Sequence, residues 1–194
     1  MSAAVELGTP TLGTWTKATF LGWVLGFVLI LVLITLTGAM GLGDFQFGVG
    51  LGMGLGVGLM QSRRLTDSLK LRRGWILATA GGAATPFVIA DLVGLIGVDL
   101  PWSLPLAVVG AGLVSGLLQA RILHRGGRAV GWWMAASLLG WSLAAGTVVF
   151  NDRVLPRIPG IPGALLFIAV ILLGGVLLGL VQGSVLGVTQ RDRP

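Results

Sequence analysis

The stretch that decides the fold is FGVGLGMGLGVGLMQ at residues 47–61, which has glycine at every second position from Gly48 to Gly58 and ends on a glutamine. On a helix these glycines form two stripes on nearly opposite faces, because positions four apart share a face. One stripe contains Gly48, Gly52 and Gly56, and the other contains Gly50, Gly54 and Gly58. The stretch therefore predicts a membrane helix that packs closely between two neighbouring helices.

Two other interpretations of this stretch fail. A dinucleotide-binding loop needs glycines at positions i, i+2 and i+5, and a spacing of even steps cannot supply the last one. A lone β-strand in a membrane would leave unpaired backbone groups facing lipid. The glycines are therefore interpreted as packing positions on a helix.

The composition indicates that lipid is the main solvent of the chain. Of its 194 residues, 55% are hydrophobic and only 10% are charged, whereas a soluble domain carries about 25% charged residues. The net charge of +6 comes from basic residues in short loops between apolar runs, so membrane topology explains it and no nucleic-acid partner is expected. The absence of cysteine and the presence of one histidine, His124, exclude thiolate sites and two-histidine metal sites.

Six apolar runs have roughly the length that a membrane helix needs, about 17–25 residues. They lie at residues 18–40, 45–61, 75–98, 103–123, 132–150 and 163–186. The expected fold is an all-α integral membrane protein with a single membrane domain over residues 1–194. The first run is longer than the core of a signal peptide and is interpreted as a retained span.

The distribution of basic residues predicts the orientation. Eleven lysines and arginines fall on the side that contains both termini, and only Arg153 and Arg157 fall on the other side. Short cytoplasmic loops are enriched in such residues, so both termini are expected in the cytoplasm.

A two-span hairpin of about sixty residues is written three times along the chain. The odd spans open with W-x2-A-[ST]-x2-G, beginning at Trp15, Trp75 and Trp133. The even spans close with G-x3-G-x2-Q, and the glycine pairs are Gly54 and Gly58, Gly112 and Gly116, and Gly175 and Gly179. The three repeats cover residues 15–65, 75–123 and 133–186. Each crosses the membrane twice, so we expect a pseudo-threefold bundle about the membrane normal.

These repeated motifs resemble those of small, glycine-rich polytopic membrane proteins of bacteria whose role is uncharacterised. The resemblance covers nearly the whole chain and implies a bacterial inner-membrane protein, but it implies no activity and no functional residues. The third copy departs from the pattern, because Ser184 stands where the other copies have Arg63 and Arg121.

Gln61, Gln119 and Gln182 lie on the same helix faces as their glycines, near the cytoplasmic boundary. An amide both donates and accepts hydrogen bonds, so the three side chains can join helices to one another. They can also form a polar ring that contacts a solute, an ion or a headgroup. Both interpretations remain open at this stage.

The repeated tryptophans at the starts of the odd spans, Trp15, Trp75 and Trp133, are expected to form an interfacial aromatic belt. Trp23 and Trp141 lie eight residues further along two of these spans, and the second copy has Ala83 there. The missing indole either opens a cavity or reflects size complementarity in a packed core.

Asp91 is the outstanding single residue, because an acid within a span is a functional candidate by default. It lies sixteen residues beyond Trp75, about 24 Å along a helix, which places it close to the outer interface. Pro86 predicts a kink in the same helix. Cation or proton coupling at Asp91 remains an alternative to an interfacial position.

Enzyme signatures are poor. Ser142 lacks the second glycine of a nucleophile elbow, and Ser115 is separated from the only histidine by nine residues. We therefore expect a non-enzymatic scaffold or accessory subunit that packs against other membrane helices, lipids or an apolar pigment. A lipid bilayer and a membrane-protein partner or second copy are the expected partners, and no cofactor is assigned. The alternative is a small-solute transporter, channel or substrate-binding subunit that uses Asp91, Gln61, Gln119 and Gln182.

Overall fold

The protein is all-helical over the residues described by its computed structural model, which are 10–43, 45–65, 68–98, 100–123 and 128–191. The six α-helices are α1 (Leu12–Ala39), α2 (Phe47–Leu65), α3 (Leu69–Leu95), α4 (Ser103–Ile122), α5 (Arg128–Val154) and α6 (Gly160–Arg191). A 3-10 helix, Leu155–Arg157, joins α5 to α6. The all-α prediction is confirmed for these residues, and His124 lies outside them.

The helices form a ring in chain order. Each helix packs against the one before it and the one after it, and α6 packs against α1 to close the ring. Neighbours run antiparallel: Gly56 of α2 contacts Gly22 and Gly26 of α1, while Gly48 lies opposite Leu33. We call the end that contains the start of α1 and the end of α6 the basic end, and the opposite end the outer end.

Five of the six helices are long and apolar enough to cross a membrane, namely all except α2. The exception has a physical cause, since six of its 19 residues are glycines and two are arginines. Only Arg63 and Arg64 of α2 are exposed, so this helix needs little apolar surface of its own. Helices α1 and α3 pack against α2 on two sides.

The two glycine stripes of α2 face the two helices that flank it. A methyl group on Gly52 would lie 2.8 Å from the backbone nitrogen of Ile30 in α1. On the other side, a methyl group on Gly54 would lie 2.7 Å from the Cα of Ala80 in α3. The remaining members follow the same division, with Gly48 and Gly56 against α1 and Gly50 and Gly58 against α3. Side chains longer than hydrogen would push these helices apart.

The other repeated glycines also lie where two helices approach closely. Gly112 and Gly116 of α4 face Trp141 and Ser137 of α5. A methyl group on Gly175 of α6 would lie 2.6 Å from the Cβ of Trp23 in α1, and its companion Gly179 faces Thr16 and Thr19 of that helix. The glycine pair of each even helix therefore contacts the odd helix that follows it around the ring.

Two of the odd helices are followed, at the outer end, by a glycine in the left-handed backbone conformation. Gly41 follows α1 with φ +76° and Gly97 follows α3 with φ +79°, a backbone conformation that favours glycine.

Helix α3 continues through Pro86, whose ring packs against Gly110 of α4. Trp102, which precedes α4, adopts a left-handed φ of 67°, and the guanidinium of Arg153 lies 4.6 Å from the centre of its ring.

The interior divides into two apolar clusters. The cluster at the basic end contains Trp15, Leu65, Trp75, Ala120, Leu123, Trp133 and Leu186. The second cluster contains Trp23, Ile30, Met53, Val57, Ala83, Phe87, Ala107, Val108, Ala111, Trp141, Ala144, Ala145 and Leu178. Between them lies a layer of buried polar side chains that forms the candidate site.

Candidate functional site

The three tryptophans that open the repeats meet in the middle of the ring. Trp15, Trp75 and Trp133 are all 0% exposed. Their ring centres are 6.0 Å (Trp15–Trp75), 6.1 Å (Trp15–Trp133) and 5.7 Å (Trp75–Trp133) apart, with the rings edge to face. The expected interfacial belt is therefore wrong, because these indoles contact one another instead of the lipid boundary. We call them the tryptophan triad.

Each repeated glutamine bonds to the hydroxyl of its own hairpin's W-x2-A-[ST] motif. In every case the amide Nε2 donates to the hydroxyl oxygen. The three bonds are Gln61 to Thr19 (3.0 Å), Gln119 to Thr79 (2.8 Å) and Gln182 to Ser137 (3.2 Å). All six side chains are at most 1% exposed. The repeated glutamine and the repeated hydroxyl therefore form one interhelical link in each hairpin.

Gln61 is the most connected of the three glutamines. Its Nε2 also donates to Oε1 of Gln182, 2.9 Å away, and its Oε1 accepts from the indole nitrogen of Trp75 at 3.2 Å. These bonds join the first hairpin to both others. In contrast, Oε1 of Gln119 and the indole nitrogens of Trp15 and Trp133 are buried and have no hydrogen-bonding partner among the described residues.

Beyond this polar layer the interior is filled by large rings. Trp23 and Trp141 pack with their ring centres 5.8 Å apart. Ala83, which takes the equivalent place in the second repeat, has no exposed surface and shares its cluster with Phe87, one turn further along α3. These contacts support the size-complementarity interpretation of the missing indole. The indole nitrogen of Trp23 donates to the carbonyl of Ile171, 2.9 Å away, which joins α1 to α6.

Asp91 caps the start of α2. Its Oδ1 accepts from the backbone nitrogen of Gln46 at 2.7 Å and its Oδ2 from that of Phe47 at 2.8 Å. A carboxylate at a helix N-terminus satisfies free backbone donors and complements the helix dipole. The acid that the sequence singled out therefore holds the outer ends of α2 and α3 together.

Other polar side chains and two grooves lie beside the Asp91 cap. Nε2 of Gln46 donates to the hydroxyl of Ser103 at 3.4 Å, while its Oε1 is buried without a partner. A groove of about 390 Å³ runs past Gln46, Asp91 and Ser103, and its other walls are mostly apolar. A smaller groove of about 200 Å³ also borders Asp91 and is lined by Phe45 and Val88 among others. Both grooves open to the surface at the outer end.

The structure does not bring Asp91 and the glutamines together. Asp91 contacts the first residues of α2, whereas Gln61 lies fourteen residues further along the same helix, about 21 Å at 1.5 Å per residue. Sequence reasoning did not assign the hydroxyls of Thr19, Thr79 and Ser137 as partners of the glutamines. The signal was present, because both residue types recur at fixed positions in every repeat.

Two features bear on the candidate groups named from the sequence. Ser115 is buried and donates to the carbonyl of Ala111, one turn back in its own helix. No group of three or more histidine, cysteine, aspartate or glutamate side chains able to hold a metal ion is present in the part of the chain that the structure describes.

Comparisons with known proteins add no functional information. The chain matches no protein-family model, no curated protein and no solved structure.

Proposed function

We propose that the protein is a six-span membrane protein made of three equivalent hairpins around an axis normal to the membrane. Equivalent positions make equivalent contacts, which supports this arrangement. A glycine of each odd helix faces the residue four before the glutamine of its partner helix: Gly22 faces Val57, Gly82 faces Ser115 and Gly140 faces Leu178. The glutamine–hydroxyl bond recurs in all three hairpins as well.

Helix α2 is the sixth span in this proposal, although its composition alone does not identify it as one. It runs antiparallel to α1 and α3 and contacts both along its length, from Gly48 to Gly58. If its two neighbours cross a bilayer, α2 crosses with them. The bacterial inner membrane is the proposed location, with the basic end and both termini in the cytoplasm.

The proposed role is that of a non-enzymatic accessory or scaffold subunit. The observation that carries it is the tryptophan triad, because three indoles in mutual contact close the middle of the ring at the basic end. Trp23, Trp141 and Phe87 fill the next level. These apolar side chains occupy the middle of the ring, where a channel requires a continuous polar route.

The outer surfaces of α1 and α6 are the proposed contact for a membrane partner. Only 22% of the most apolar stretch of each helix is buried, against 44% for α4 and α5. Among residues 31–39 of α1 only Thr37 is buried, and among residues 161–170 of α6 only Gly163 is buried. These two adjacent apolar helices, which are exposed near the outer end, offer an apolar surface to another helix, a lipid or an apolar pigment.

The geometry favours this role over a transporter. The transporter alternative depends on Asp91 and the three glutamines, yet Asp91 already accepts two backbone hydrogen bonds at the outer end. The glutamines make hydrogen bonds between helices near the basic end, and at most 1% of their surface is exposed. These bonds between helices support a structural role for Asp91 and the three glutamines.

Site-specific photocrosslinking in cells tests the partner surface. Val28 of α1 and Leu113 of α4 are each 50% exposed, so a photoreactive residue at either position samples the bilayer equally well. The proposal predicts a discrete protein adduct from position 28 and lipid adducts alone from position 113. Identical patterns from both positions would contradict it.

A flux assay tests the transporter alternative separately. Liposomes containing the purified protein should leak ions and small solutes no faster than protein-free liposomes. A flux that the Asp91→Ala variant abolishes, while that variant remains folded, would overturn the scaffold role.

A further inference from the structure

We infer that a buried water molecule is bound between Gln119, Trp133 and Ser137, at the junction of α4 and α5. Two of the groups that point to it are polar atoms without partners. These are the indole nitrogen of Trp133, a donor, and Oε1 of Gln119, an acceptor. Their residues are 0% and 1% exposed, so bulk solvent does not reach them. Buried polar groups of this kind are almost always hydrogen-bonded to protein or to ordered water.

The equivalent pair in the preceding repeat shows how these two atoms are placed. There the indole nitrogen of Trp75 donates directly to Oε1 of Gln61 at 3.2 Å. The backbones agree closely: a methyl group on Gly58 would lie 2.9 Å from the Cβ of Thr79, and one on Gly116 would lie 2.8 Å from the Cβ of Ser137. The helix contact that carries Trp133 and Gln119 therefore matches the one that carries Trp75 and Gln61, but the direct bond is missing.

The difference between the two pairs lies in how each amide is held. Nε2 of Gln61 has two acceptors, Thr19 and Gln182, which turn its oxygen toward Trp75. Nε2 of Gln119 donates to Thr79 alone, so its oxygen is not drawn to the indole in the same way. A water that accepts from the indole of Trp133 and donates to Oε1 of Gln119 satisfies both groups.

Ser137 supplies the third partner. Its hydroxyl oxygen accepts from Nε2 of Gln182, which leaves its own O–H to donate to another group. This oxygen lies 3.2 Å from the position of a Cβ on Gly116, one turn before Gln119. Buried waters usually make about three hydrogen bonds to groups that lack other partners, and this site provides three. Trp15 does not join the site, because the oxygen that corresponds to its indole, on Gln182, already accepts from Gln61.

Water-selective NMR on the full-length protein in bicelles tests the site, with the indole protons assigned from single Trp→Phe variants. The indole proton of Trp133 should show a cross-peak to a long-lived water, whereas that of Trp75 should show none and serves as the internal control. The Gln119→Leu variant should lose the Trp133 cross-peak. The comparison of the Trp133 and Trp75 indole protons in the wild-type protein is sufficient by itself, so the test does not require the Gln119→Leu variant to fold.

Two results would overturn the site. One is a Trp133 indole proton with no water cross-peak in a spectrum where a known buried water of a reference protein is detected. The other is a direct Trp133–Gln119 bond, seen as a Trp133 indole proton shift that matches that of Trp75 and disappears in Gln119→Leu. Neither result bears on the scaffold role, which the crosslinking and flux assays test.

Discussion

Gln61 of α2 donates from Nε2 to Oε1 of Gln182 of α6 across 2.9 Å, although the two residues are 121 positions apart in the chain. The bond joins the ends of two hairpins that do not follow one another in sequence. It lies directly beneath the tryptophan triad, since Gln61 also accepts from Trp75. The polar layer thus joins parts of the ring that the chain itself does not connect.

Gln61→Leu should lower the free energy of unfolding more than Gln119→Leu. Gln61 makes three bonds to other side chains, and interhelical bonds within membranes are worth about 0.6 kcal/mol on average and at most about 1.7. We expect a loss of roughly 2–3 kcal/mol for Gln61→Leu. Reversible unfolding in mixed micelles, followed by circular dichroism, measures both variants. Equal losses would show that the extra bonds of Gln61 contribute nothing.

Gly56→Ala should destabilise the protein, whereas Gly81→Ala should not. A methyl group on Gly56 would collide with the backbone of Gly22 and Gly26, but one on Gly81 would meet nothing within 4 Å. Overpacking costs about 1–3 kcal/mol, and alanine otherwise favours a helix by about 1 kcal/mol over glycine. Thermal unfolding in detergent should therefore move down for the first variant and stay level or rise for the second. Shifts in the same direction would contradict the close α1–α2 contact.

Asp91→Ala should loosen the start of α2. Loss of a capping side chain costs about 0.5–2 kcal/mol, so the amide hydrogens of Gln46 and Phe47 should exchange several-fold faster. Amides near Gln61, at the other end of the helix, should keep their rates. Asp152→Ala removes an exposed carboxylate from α5 and is the matched control. Unchanged exchange at Gln46 and Phe47 in Asp91→Ala would mean that the cap is dispensable.

Trp23→Phe should weaken the contact between α1 and α6. The variant loses the bond from the indole nitrogen to the carbonyl of Ile171, and a hydrogen bond of this kind contributes about 0.5–1.5 kcal/mol. Trp141→Phe removes a similar ring from the same cluster without removing that bond. Unfolding midpoints in guanidinium or dodecyl sulfate distinguish the two variants. A larger loss for Trp141→Phe would count against the α1–α6 bond.

The apolar runs predict an all-helical fold, which is confirmed for the described residues. Small residues at fixed spacing predicted which helix faces meet, because a close approach of backbones tolerates little else. The spacing predicts Gln61 on the same face of α2 as Gly54 and Gly58, which face α3. Its Oε1 accepts from Trp75 of α3, and its Nε2 also reaches Thr19 of α1. The length and apolarity of the runs predict six membrane helices. Among the described residues, five helices are long and apolar enough to cross a membrane, and α2 is not.

The interior position of the tryptophans could not be predicted from the sequence. An indole has an apolar body and one polar N–H, which suits both a membrane boundary and a packed interior. Only the closing of the ring, through contacts between α1 and α6, brings Trp15 to Trp75 and Trp133. Such long-range contacts leave no local pattern.

The sequence pattern also did not predict that Asp91 caps the start of α2. Depth along the helix placed it near the outer end, but its partners are backbone groups 44 and 45 residues earlier in the chain. Backbone donors are present at every non-proline residue, so no residue type marks them. The sequence therefore indicated an unusual acid and not the helix start that it caps.

Nuclear Overhauser contacts among the three indoles test the closed ring most directly. In the full-length protein in lipid nanodiscs, with tryptophan rings labelled and assigned from single Trp→Phe variants, we predict cross-peaks for all three pairs of Trp15, Trp75 and Trp133. Their ring centres lie 5.7–6.1 Å apart. Absence of contacts from Trp15 to the other two, together with quenching of its fluorescence by brominated lipids, would contradict a ring closed around its own tryptophans.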